Sequence, residues 1–149
     1  MPPTQRNEVP EMIAEVTARL DLRPCQGCDG CGNRCVDGIG ITWEEFRALV
    51  DHLEAQPPDE VERVLGQEKE GLWGEGRVSW CPFRDTDRQN CFVYPVRPLV
   101  CRLFGFVDWL PCPLGRVTQR LPDGLEILHW YRQFPRRTFQ EWRKSENES

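Results

Sequence analysis

The chain is poor in several residues from which active sites and membrane segments are usually built. Lysine, histidine, tyrosine and methionine occur twice each in 149 residues. His52 falls inside a helical pattern and His129 in an aromatic segment, so both are read as structural or solvated rather than as ligands. No apolar run approaches the roughly 20 residues of a membrane span. The opening "MPPTQRNEVPEM" is polar and broken by proline, which argues against a secretory signal. The expectation is a soluble protein of the reducing cytoplasm, where close cysteines serve as metal ligands more often than as disulfides. A disulfide-rich secreted domain is the competing reading, because the cysteine count is even. Ser79 has no nucleophile elbow around it, and "GLWGEGRVS" has neither the lysine nor the following helix of a phosphate loop. No internal repeat is visible.

Hydrophobic residues are also scarce, at 39%, and eight cysteines are part of that count. One domain over 1–149 is long enough to bury a core, but a core this thin calls for cross-links through the cysteines. The net charge is -5. Residues 1–76 carry 7 basic and 16 acidic side chains, and residues 77–149 carry 12 and 8. An acidic whole argues against nucleic acid as a partner, with the basic second half the one opening for it. Six tryptophans are read as core packing.

What the chain does have is thiols. "PCQGCDGCGNRC" places Cys25, Cys28, Cys31 and Cys35 in a C-x2-C-x2-C-x3-C run. Thiolate ligands need a backbone that curls around the ion, and Gly27, Gly30 and Gly32 permit that with their amides turned inward. The spacing is that of bacterial ferredoxins, where the fourth cysteine serves a second cluster and a remote cysteine completes the first. Val36 stands where that pattern has proline. Cys81, Cys91, Cys101 and Cys112 follow at intervals of 10, 10 and 11, as ligands delivered by separate turns. Zinc competes: Cys25 and Cys28 make one C-x2-C pair, but the later cysteines are too far apart for a standard second one. The candidate cofactor is therefore an iron–sulfur cluster, of the 4Fe-4S kind in this spacing, or Zn2+. Four thiolates around a dication leave about two negative charges, which Arg34, Arg84, Arg97 and Arg102 are placed in sequence to offset.

The expected fold is mainly α with a small β-hairpin, an irregular α+β single domain stapled by metal. "VPEMIAEVTARL" has Val9, Met12, Ile13, Val16 and Leu20 on one helical face. "TWEEFRALVDHLEAQPP" is the clearest helix, with a Thr42–Glu45 capping box and a stop at Pro57 and Pro58. A further helix is expected from an Asp59 cap to near Gly71, and a short strand at "GRVSW". "PVRPLVCRLFGF" reads as a short helix begun by Pro98 and closed by Gly105. The Pro-Asp-Gly of "GRVTQRLPDGLEILHW" suggests a hairpin, with a helix from Leu125 competing. "PRRTFQEWRK" reads as a last helix burying Phe139 and Trp142, with a frayed tail over 145–149.

"CQGCDGCGNRC", "ITWEEF" and "CPFRDTDRQNCFVYPVRPLVCRLFG" together resemble the zinc- or iron-chelating cysteine-cluster (CxxCxxCC) domain family over about 25–112. Cys81, Cys91, Tyr94, Arg97, Pro98, Cys101, Arg102 and Phe104 fall in register with its later block. The family's doubled cysteine appears here as Cys31 followed by Gly32, with Cys35 in place of the missing thiol. The resemblance implies metal ligands at all eight cysteines, with Tyr94, Arg97 and Arg102 around them. Some relatives with this domain methylate lysines of flagellin. A lysine methyltransferase-related enzyme or a component of one is accordingly a second reading. A zinc-dependent nucleic-acid or protein interaction module, resting on Trp130, Tyr131, Arg136 and Arg137, is a third; the protein partner stays open. Pro98 can start a helix that presents Cys101 between Arg97 and Arg102, so Arg102→Ala is expected to weaken metal retention without unfolding the domain.

Overall fold

The computed structural model describes residues 8–25, 35–73 and 75–148. Cys28, Cys31, Arg34 and the three glycines between Cys25 and Cys35 lie outside them. Six α-helices and three two-stranded antiparallel hairpins occur among the described residues. They form a small α+β fold.

Helix α1 (Glu8–Arg19) buries Val9 and Val16, and Met12 and Ile13, three and four positions on from Val9, also reach the core. Helix α2 (Trp43–Glu54) begins with the expected capping box: the Glu45 amide donates to Thr42 Oγ1 at 3.3 Å and the Thr42 amide to Glu45 Oε1 at 2.9 Å. Helix α3 (Pro58–Leu65) corrects the sequence reading, because its cap is Pro57 and not Asp59, and it ends at Gly66 instead of near Gly71. Pro58 suits the first helical position, where no amide is needed. Residues beyond the stop become strand β1 (Glu70–Trp73), paired with β2 (Gly76–Ser79). Gly71 is required there, since a β-carbon would overlap the Trp80 indole.

Strands β3 (Arg84–Asp85) and β4 (Asn90–Cys91) make a second hairpin. Helix α4 (Leu99–Leu103) follows, capped by Pro98 and ended before Gly105, whose φ of 92° is one that glycine adopts without strain. Strands β5 (Phe106–Val107) and β6 (Leu110–Pro111) form the third hairpin. The hairpin expected at the Pro-Asp-Gly turn is absent: helix α5 (Gly124–Tyr131) starts after Asp123 and buries Ile127 and Tyr131, i and i+4 on one face. Helix α6 (Phe139–Glu148) runs through the tail expected to fray. Side-chain bonds from Arg137 to Ser145, at 2.6 Å, and from Arg47 to Glu146, at 3.4 Å, tie that end down.

Two apolar clusters result. One gathers α1, α4, β5 and α5 around Val9, Leu99, Leu103, Phe106 and Tyr131. The other packs α2 and α6 around Phe46, Leu49, Phe83 and Phe139, with Phe46 and Phe139 ring centroids 5.2 Å apart.

Candidate metal centre

Four cysteines come into one neighbourhood from four segments. Residues 35–37 run antiparallel to 79–81: the Asp37 amide donates to Ser79 O and the Cys81 amide to Cys35 O, both at 2.9 Å. This ladder sets Cys35 beside Cys81. After Cys81 the chain turns at once, with the Arg84 amide donating to Cys81 O at 3.0 Å. It returns along the β3–β4 hairpin, where Cys91 pairs with Arg84. Cys101 is the third residue of α4. Cys35, Cys81, Cys91, Cys101 and Cys112 are all free thiols.

The electrostatics of these thiols are coupled. Burial pushes the Cys35, Cys81 and Cys91 thiols up to about 11, and the Cys101 thiol well above its ordinary value. Each is raised further by at least one other, and Cys101 by Cys35, Cys81 and Cys91 together. Opposing shifts come from the amides of Phe83, directed at the Cys81 sulfur, and Val93, at the Cys91 sulfur. Arg97 lowers Cys35, Cys91 and Cys101; Arg84 lowers Cys35; Lys69 lowers Cys81.

These cations are held in place. The Arg97 guanidinium lies 3.9 Å from the Tyr94 ring centroid, and its Nε donates to Tyr94 O at 3.2 Å. Arg84 is buried, 4.4 Å from the Trp80 ring centroid. Lys69 Nζ donates to Val64 O at 2.7 Å and Arg84 O at 2.5 Å. No sequence signal points to Lys69, which lies twelve residues before Cys81 and reaches it only through the fold. Arg102 is pulled below its ordinary value by burial and by Arg97, and Cys101 opposes that. It donates to Arg97 O at 2.8 Å, Pro95 O at 2.9 Å and Thr17 Oγ1 at 3.1 Å, bracing the turn before α4 against α1.

Cys112 is built separately. Partial burial would raise it, yet the amides of Val117, Arg116, Leu114 and Gly115 turn toward its sulfur and bring it below the ordinary thiol value. The Gly115 amide donates to Cys112 O at 3.1 Å, the same turn that Arg84 makes on Cys81. In both, proline follows the cysteine. Cys112 and Cys25 pack against the α1–α5 cluster, whereas Cys81 and Cys91 pack against the α2–α6 cluster. Gln119 holds the segment leading to Cys25: it accepts from the Asp21 amide and donates to Arg19 O, each at 2.7 Å.

The donor chemistry fits a thiophilic cation. Thiols raised by burial and by one another ionise readily only when a cation is bound, and a coordinating thiol is deprotonated outright. Among the described residues no three Cys, His, Asp or Glu side chains already stand at ligating geometry.

The "Putative zinc- or iron-chelating domain" family, CxxCxxCC, matches residues 27–141. The chain belongs to this family. Its match covers α2 to α5 and the first turn of α6, while α1 and Cys25 precede it. No curated protein and no solved structure matches the chain. Metal binding is thus the property the family carries. No helix among the described residues is long and apolar enough to cross a membrane.

Proposed function

We propose that this protein is a metal-binding module in which Cys35, Cys81, Cys91 and Cys101 form one four-thiolate centre. The observation that carries the reading is that these four thiols, from four separate segments, perturb one another and face Arg97, Arg84 and Lys69. Those cations offset the roughly two negative charges left when four thiolates bind a dication.

Cys25, Cys28, Cys31 and Cys112 form the second set. Its support is partly sequence: in the ferredoxin spacing the fourth cysteine of the run leaves for another centre and a remote cysteine replaces it. Cys35 takes the first role and Cys112 the second. Cys112 and Cys25 pack on one apolar cluster, which favours their pairing. On this spacing we read the bound group as an iron–sulfur cluster, with zinc as the competing metal. The group supplies electron transfer if it is a cluster and a structural cross-link if it is zinc. The chain's own part is to present thiolates, cover them and balance their charge.

Anaerobic purification with elemental analysis for iron, acid-labile sulfide and zinc tests both levels. Iron with matching sulfide and a brown colour supports the cluster. Colourless protein with one or two zinc ions per chain keeps the thiolate centres and replaces the cluster by zinc. Protein with neither metal nor capacity to take one up sinks the proposal.

A further inference from the structure

Glu45 is buried, 3% exposed, and both its oxygens are engaged. Oε1 accepts from the Thr42 amide at 2.9 Å, from Thr42 Oγ1 at 3.1 Å and from the Tyr131 hydroxyl. Oε2 accepts from the Leu99 amide at 2.6 Å, across 54 positions of sequence. Capping α2 uses only the first oxygen. The second performs a task that α2 does not need.

That task concerns α4. The first amide of a helix has no partner within it, and Pro98, the cap residue, offers no side-chain bond. Glu45 supplies the missing acceptor as a charge-assisted bond. Leu99 stands two residues before Cys101, on a helix of one and a half turns, so fixing its amide fixes the backbone from which the Cys101 side chain leaves α4. The other three contacts hold the carboxylate itself still. A leucine would fill the space without a buried charge to satisfy, and burying a carboxylate is costly unless every lone pair is matched. Packing alone therefore does not account for the residue.

We propose that Glu45 is a positioning residue for the metal centre, anchoring through the Leu99 amide the α4 backbone that brings Cys101 to Cys35, Cys81 and Cys91. The inference rests on the four-thiolate reading above. It gives the helix-start threonine and glutamate, and the arginine-proline-cysteine block 50 residues later, a single physical role. The α2 cap and the fourth ligand are parts of one hydrogen-bonded unit.

The test uses the full chain, stripped of metal anaerobically and titrated with Co2+, whose thiolate charge-transfer and ligand-field bands report how many sulfurs bind. Cys101→Ser sets the three-thiolate reference. Glu45→Gln places an amide donor against either Leu99 N–H or the Thr42 and Tyr131 donors. It is expected to weaken Co2+ binding about 10- to 100-fold, the range seen for groups that orient metal ligands, and to move the spectrum toward that of Cys101→Ser. Thr42→Ala removes the cap hydroxyl but leaves Leu99 bonded; it is expected to lower the thermal midpoint while keeping the wild-type spectrum. If Glu45→Gln does not fold, Glu45→Asp keeps the charge but shortens the reach, with the same expectation. A wild-type spectrum and affinity in the Glu45 variant overturn the inference alone, as does an equal spectral change in Thr42→Ala. Failure of the unmodified chain to show a four-thiolate spectrum overturns the reading beneath it, and the inference with it.

Discussion

Cys35, Cys81, Cys91 and Cys101 reach one neighbourhood from the edge of an isolated β-bridge, a turn, a hairpin and a helix, and burial holds all four toward the neutral thiol. Cys112 sits within one turn whose own amides hold it toward the thiolate. The first arrangement exists only when the fold is complete. The second is supplied by residues 112–117 alone. A thiol's protonation can therefore be set by tertiary assembly or by local backbone, and this chain uses both.

The largest effect that separates them is loss of a ligand. Cys101→Ser should weaken the assembled centre enough that its metal is lost on purification, and lower stability by more than about 3 kcal/mol, the worth of a ligand held well above its dissociation constant. Cys112→Ser should leave that metal equivalent in place. Elemental analysis and thermal unfolding of both variants decide the matter, and equal metal loss would merge the two groups.

Next in size is the support under the β3–β4 hairpin. Asp85 is buried and accepts from Arg63 at 2.8 and 3.3 Å, Gln67 at 3.1 Å and the Arg88 amide at 3.3 Å. Asp85→Asn should cost about 2–3 kcal/mol, as for hydrogen bonds to charged groups. The bond to Arg63 holds the Asp85 carboxyl far below the usual range. A depressed carboxyl adds stability that is complete above its unfolded value, about 3.9, and is lost as pH falls below it. Thermal midpoints should therefore fall more steeply in the parent protein than in Asp85→Asn as the pH drops from about 4 to about 2. Parallel curves would remove Asp85 from the account.

Arg102→Ala should lose about 1–2 kcal/mol with the brace it makes to Arg97, Pro95 and Thr17. Metal per folded chain should stay nearly level, because the Arg102 bonds go to backbone and threonine. A loss of metal without loss of stability would restore the thiolate-flanking role expected from sequence. The smallest difference is kinetic. In chelated protein at pH 8, iodoacetamide should label Cys112 ahead of Cys101, as peptide mass spectrometry would show; the reverse order would break the contrast.

Local features were the legible ones. The Thr42–Glu45 box spans three residues, and the α1 and α2 stripes follow a 3.6 period, so both could be read directly. Pro98 and Gly105 bracketed α4 for the same reason. Glu45 Oε2 could not be read, because its partner lies 54 residues away. The Pro-Asp-Gly turn misled because Asp123 there precedes a helix, and the apolar spacing of Ile127 and Tyr131 outweighs the turn signal. At the end of the chain the pattern after Trp142 is polar all round. Only tertiary contacts from Arg47 and Arg137 make it helical. Eight cysteines announced metal chemistry, but their division between centres depends on which loops meet.

Ile41, at the entrance to α2, exchanges backbone bonds with Arg137 at 2.8 and 2.9 Å and accepts from Trp142 Nε1 at 2.7 Å, 101 positions later. This sets an order in time. Translation at about 5–20 residues per second places roughly 2–8 seconds between Cys101 and Trp142. During that interval Cys35, Cys81, Cys91 and Cys101 are all made, while the last clamp on α2 is not.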